Sequence, residues 1–176
     1  MKTGDLKGLP VTALSDNDKL GTVDEVLLDL RLQHVVGFIV KRGLLGPHAT
    51  LRRDDAVAID TTGMRVAAPS ALKDEDERAE PENAVPFDRV KGIQVITESG
   101  ASLGTIADVH LDSDVRRVTA YVLAGSPLAR LNRVEPSVLA QLALHRDERG
   151  TLIVADAAAD EVNRPDWKIE QGYIER

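Results

Sequence analysis

The stretch Gly100-Ala101-Ser102-Leu103-Gly104 has the G-x-S-x-G spacing of a serine hydrolase, in which a strained turn between a strand and a helix presents the serine. A strand pattern follows it instead. Asp18-Lys19-Leu20-Gly21 occupies the same turn earlier in the chain without a serine, so a hairpin glycine is the reading, not a nucleophile. Asp16-Asn17-Asp18 opens like a calcium loop, but Leu20 stands where an oxygen ligand is required and Leu27 where the bidentate glutamate belongs. His110 and Asp112, two residues apart on one strand face, have acceptable geometry for two ligands of a surface metal. The four histidines, at 34, 48, 110 and 145, nevertheless form no close cluster in sequence. Carboxylate pairs such as Asp54-Asp55, or Asp112 with Asp114, do acid–base chemistry only in a desolvated cleft, and the sequence predicts no such cleft. The absence of cysteine excludes thiolate catalysis, disulfides and cysteine-based metal sites. The expectation is therefore no catalytic residue, no metal and no cofactor.

The elements behind these residues form an internal repeat. Lys7-Gly8 recurs as Lys91-Gly92, Val11 as Val95 and Ser15 as Ser99, an offset of 84. After a one-residue gap in a turn the offset becomes 83: Leu20-Gly21-Thr22 recurs as Leu103-Gly104-Thr105, Val26 as Val109, Leu28-Asp29 as Leu111-Asp112 and Val35 as Val118. Eleven identities over roughly thirty aligned positions make duplication the economical explanation, with two similar domains as its consequence. The 176 residues, 43% apolar and 29% charged, suit a folded chain of one large domain or two small ones.

Within each copy the period is that of strands. Val26, Leu28 and Leu30 alternate with Leu27, Asp29 and Arg31, which puts the first set on a core and the second toward solvent; Val109 and Leu111 alternate with His110 and Asp112 in the same way. Ser15 to Asp18 and Glu98 to Ala101 are turn-rich, and the Leu-Gly after each reads as a hairpin whose glycine takes a conformation other residues avoid. The β-branched runs Val35–Val40 and Val118–Leu123 read as more fully buried strands, and Ala56–Ile59 and Met64–Val66 as a further hairpin. In the second copy, Pro136 to Leu144 has apolar residues at helical spacing and predicts a short helix before the strand Thr151–Val154. The predicted fold class is all-β: two small antiparallel barrels, closed or partly open, in tandem. Domain 1 covers residues 1–68, an acidic linker 69–87, domain 2 residues 88–156, and an acidic tail 157–176. The linker is expected to be an extended tether, with a helical turn from Ser70 as the alternative.

Charge follows these boundaries. Residues 1–66 carry nine acids and nine bases, and residues 88–155 eight of each. Residues 67–87 hold six acids against two bases and residues 156–176 six against three, which together account for the net charge of −7. Neither body has the basic surplus that phosphate backbones require, so nucleic-acid binding is disfavoured. Lys41-Arg42, Arg52-Arg53 and Arg116-Arg117 are read as solvated surface. No apolar run approaches the roughly 20 residues of a membrane span, so a soluble, cytoplasmic, bacterial-type protein with no integral membrane segment is expected.

The pattern Leu6-Lys7-Gly8, Val11, a turn, Leu20-Gly21-Thr22-Val23, Val26, Leu28-Asp29 and Val36-Gly37-Phe38-Ile39-Val40 resembles the PRC-barrel domain, found in the cytoplasmic part of the photosynthetic reaction centre H subunit. The second copy matches independently, and the resemblance spans about 140 residues. It implies a compact β-barrel used for protein binding or assembly, as in reaction-centre assembly and in a ribosome maturation factor, and it brings no catalytic residues. The sequence shows neither the transmembrane helix of the first setting nor the amino-terminal partner domain of the second, so neither setting is expected here.

Two regions are candidate recognition surfaces. Leu44 and Leu45 lie in a loop bounded by glycine and proline, with Leu128 and Leu131 in its counterpart; both loops either dock a partner or cap a barrel end. In the tail, Trp167 and Ile169 alternate with charges, and Tyr173 follows; this strand-like stretch pairs either with its own barrel or with another chain. The function expected is a non-enzymatic adaptor whose protein partner is unknown, with homo-oligomerisation open. Alternatives are a ligand-binding or enzymatic protein with a site between the barrels, lined by residues such as His110, Asp112 or Arg117, and an RNA-associated factor.

Overall fold

The computed structural model describes residues 1–43, 46–74, 81, 83–125 and 135–162. The first copy opens with a single helical turn, α1 (Thr3–Leu6), then β1 (Pro10–Ala13), β2 (Lys19–Leu28), β3 (Val35–Lys41) and β4 (His48–Arg52). A 3-10 turn, Arg53–Asp55, leads to β5 (Ala56–Asp60) and β6 (Gly63–Val66). The second copy repeats this order as α2 (Phe87–Val90), β9 (Gln94–Thr97), β10 (Ser102–Leu111), β11 (Val118–Ala124), β12 (Ser137–Leu139), a 3-10 turn at Ala140–Leu142, β13 (Ala143–Arg146) and β14 (Leu152–Val154), followed by α3 (Ala158–Glu161). Between the copies lie β7 (Leu72–Asp74) and β8 (Val85–Pro86).

The strands pair into two sheets, ordered β5-β6-β1-β2-β3-β4-β7 with β8 on β2, and β12-β11-β10-β9-β14-β13. Both copies place one parallel pair in an otherwise antiparallel ladder. Val11 lies opposite Met64 between β1 and β6, and Val95 opposite Leu152 between β9 and β14. The purely antiparallel barrel expected from hairpin chemistry is thus broken once per copy, at a junction between strands distant in sequence.

The repeated Lys-Gly has a backbone cause. Gly8 and Gly92 both sit at φ +84°, just after α1 and α2, and a Cβ on either would touch nothing within 4 Å. The requirement is conformational, since the left-handed region costs an L-residue about 1 kcal/mol or more. The turn delivers the Gly8 N–H to the Val23 carbonyl at 2.7 Å and the Gly92 N–H to that of Ile106 at 2.8 Å. The predicted left-handed glycine occurs in Leu103-Gly104, where Gly104 has φ 125°, but not in Leu20-Gly21. Asn17, at φ 60°, takes the left-handed turn position. Gly21 lies within β2, where a Cβ would stand 2.5 Å from the Lys41 carbonyl oxygen.

Contacts divide the chain into two compact units. The first is Met1–Val90 with His110–Val118, and the second is Lys91–Val109 with the chain from Thr119 onward. The first unit buries Leu6, Val11, Val26, Leu28, Phe38, Leu51, Met64 and Leu72. The second buries Val95, Leu103, Ile106, Val109, Tyr121, Val138, Leu152 and Val154. Alternation predicts Val26, Leu28 and Val109, and the β-branched runs predict Phe38 and Tyr121. Leu27, expected on the solvent face, is also buried, because Pro86 of β8 pairs opposite it and α2 packs on β2. Leu30, expected in the core, is 52% exposed in the turn after β2.

Two other expectations change. The short helix predicted between Pro136 and Leu144 shrinks to the three-residue 3-10 turn, with strands on both sides. Pairing of β12 with β11 from Ala120↔Leu139 to Val122↔Ser137 overrides the helical spacing. The linker is not tether throughout. Its Leu72–Asp74 pairs with Ala49–Leu51 of β4, and its Val85–Pro86 with Leu27–Leu28 of β2.

Candidate functional site: an arginine-lined cleft in the first unit

The turn after β2 and the turn after β10 are built alike. Asp29 Oδ1 accepts the amides of Gln33 and His34 at 2.8 and 3.1 Å, and Asp112 Oδ1 those of Arg116 and Arg117 at 2.7 and 3.1 Å. Each carboxylate thereby closes its turn, which explains the repeated Leu-Asp. Inside the turns Leu32 (φ 59°) and Val115 (φ 54°) are buried in the left-handed region. For a β-branched residue that conformation persists only where packing enforces it. Within the first unit the two turns are joined by reciprocal bonds, from the Val35 N–H to the Arg116 carbonyl at 2.9 Å and from the Val118 N–H to the Gln33 carbonyl at 2.8 Å.

The 3-10 turn after β4 reaches the same place. Arg53 is only 8% exposed. Its Nε donates to the carbonyls of Val115 at 2.9 Å and Asp114 at 3.1 Å, Nη2 donates to the Asp114 carbonyl, and Nη1 to that of Ala56 at 3.1 Å. Next to it Asp54 accepts from Arg116 Nη1 at 2.6 Å. The result is a cleft of about 920 Å³ lined by His34, Val35, Val36, Arg52, Arg53, Asp54, Pro81, Asp112, Asp114, Arg116 and Arg117, every one within the first unit.

Its charges are strongly conditioned. Burial, and then the neighbouring charge of Arg116, draws Arg53 below the usual arginine range. The hydrogen bond and charge of Arg116 hold Asp54 below the ordinary carboxylate value. Burial pushes Asp112 up, but the Arg116 and Arg117 amides and the Arg117 side chain at 3.4 Å outweigh it and keep it ionised. A second cluster in this unit joins Lys7 Nζ to Glu25 Oε2 at 3.2 Å and to Asp88 Oδ1 at 2.9 Å. Burial, followed by the hydrogen bond shared with Asp88, raises Glu25.

The sequence candidates fall in different places. Ser102 is exposed at the start of β10, with a hairpin before it and a strand after it, so a nucleophile elbow is absent. Asp16 accepts the Asp18 amide at 3.1 Å as a turn residue. Among the described residues no group of three or more histidine or acidic side chains is placed to hold a metal. Asp112 and Arg117 line the cleft, whereas His110 does not. Arg52-Arg53 and Arg116-Arg117, read as solvated surface, converge there, with Arg53 buried. The sequence signal was the two arginine pairs; Arg53 holds the first position of its 3-10 turn, the position that Ala140 takes in the second copy. Leu44, Leu45, Leu128, Leu131, Trp167, Ile169 and Tyr173 lie outside the described residues.

Two sheets with the same strand order, each opened by a Lys-Gly turn and each carrying an aspartate-closed hairpin, define a tandem β-barrel-type domain protein. The family model described as the PRC-barrel domain matches residues 1–73 and again residues 82–169, and the chain belongs to that family. No curated protein matches the chain in sequence. Among the described residues no helix is long and apolar enough to cross a membrane.

Proposed function

We propose that the chain is a non-enzymatic protein-binding or assembly module, each copy contributing an apolar contact. One repeated observation carries this reading. In β5 the register slips between Ala56 and Ala58, and in β13 between Ala143 and His145. The residue bulged out is apolar both times, Val57 at 61% exposure and Leu144 at 48%. β5 and β13 are the end strands of their sheets, and bulges there re-aim side chains. A single exposed apolar residue needs no explanation, but the same one at equivalent positions of both copies suits a knob for a partner's pocket.

A photo-crosslinking residue at position 57 or 144, used in cells and read by mass spectrometry, tests the reading. A discrete protein adduct, lost when the other knob is changed by Leu144→Asp or Val57→Asp, is the expected result. Adducts joining two copies of this chain would make the partner a second copy. Absence of any adduct at both positions, together with a monomeric mass in solution, would sink the proposal.

A further inference from the structure

The cleft of the first unit contains a buried cation whose described hydrogen bonds go to backbone carbonyls and to no carboxylate. Arg53 donates to the carbonyls of Ala56, Asp114 and Val115. Carbonyl dipoles meet its hydrogens but leave a unit charge that is costly to bury. The nearby carboxylates are engaged elsewhere, Asp54 with Arg116 at 2.6 Å and Asp112 with two amides and Arg117. Asp114 accepts from Ser113 Oγ at 3.3 Å. A guanidinium has five N–H donors; the bonds described occupy Nε–H, one on Nη1 and one on Nη2, leaving two. Among the described residues that line the cleft, four arginines stand against three aspartates.

We propose that this cleft binds a small phosphate-bearing ligand, its phosphate seated on the remaining Arg53 donors and flanked by Arg52 and Arg117. A phosphate brings negative charge to these arginines, and its oxygens match the guanidinium fork. Val35 and Val36 offer an apolar wall, and about 920 Å³ accommodates an organic portion as well as the anion. The inference is independent of the protein-binding reading, since neither Val57 nor Leu144 lines the cleft.

Isothermal titration of the full chain with glycerol 3-phosphate, inorganic phosphate and glycerol tests it at low ionic strength. One saturable site is expected for the phosphate compounds and none for glycerol. Tighter binding of the ester assigns an organic phosphate, and equal binding assigns the free anion. Arg52→Ala and Arg117→Ala remove solvent-exposed side chains and are expected to weaken binding about tenfold each with the unfolding midpoint unchanged. No saturable binding below about 10 mM, or binding indifferent to both substitutions, would overturn the proposal.

Discussion

After β4 and after β12 the two copies make the same 3-10 turn and fill it with different chemistry. The first places Arg53 there, tied to the carbonyls of Asp114 and Val115; the second places Ala140, buried with nothing but a methyl group to offer. The strands alongside diverge too. β4 continues the first sheet to β7, whereas β12 ends its sheet with α3 packed against it. By contrast the Lys-Gly turn, the hairpin aspartates and the bulges on β5 and β13 are held in common. Duplication thus preserved the backbone devices that make each sheet and released the position that, in one copy, builds a cleft.

The shared core supplies the largest test of this contrast. Phe38 and Tyr121 occupy equivalent positions on β3 and β11, and both are fully buried. Phe38→Ala and Tyr121→Ala are each expected to lower unfolding free energy by about 3–5 kcal/mol in urea titrations. A difference of several kcal/mol between them would deny that the copies have comparable cores. The divergent position comes next. Arg53→Ala should cost about 2 kcal/mol through its lost charge-assisted bonds and speed hydrogen exchange at the Arg116 and Val118 amides. Ala140→Arg should also destabilise, by about 1–3 kcal/mol through overpacking. An Arg53→Ala protein as stable and as protected as the parent would remove the cation from any structural role.

The smallest effect concerns Glu25 and Asp108, which both accept the amide of the residue after them, Val26 at 2.9 Å and Val109 at 2.8 Å. Burial, and then Asp88, raises Glu25 above its ordinary 4.5. A carboxyl elevated in the folded state adds stability below pH 4.5 that disappears as pH climbs through the elevated value. Urea midpoints measured from about pH 4 to 7 should therefore decline in the parent and flatten in Glu25→Gln. An identical decline in both would place its source elsewhere.

Much of this was readable in one dimension. Alternation located β2 and β10, β-branched runs located β3 and β11, and the offsets of 84 and 83 exposed the duplication and with it the family. The failures share a cause. Alternation puts Leu27 toward solvent because the pattern of one strand says nothing of what covers its other face, and β8 and α2 cover it. The helix expected near Pro136 dissolved because ladder pairing outweighs weak local propensity. The cleft had no signature beyond two arginine pairs in unrelated places.

Strand, turn and repeat are local properties, set by side-chain period and by which residues tolerate a left-handed backbone, and so they are written along the chain. Burial of Arg53 is not local. It follows from a contact between residues 62 apart in sequence, made when the second hairpin joins the first unit. Whether a charge is solvated or buried depends on what the folded chain brings beside it, and no spacing between neighbours encodes that.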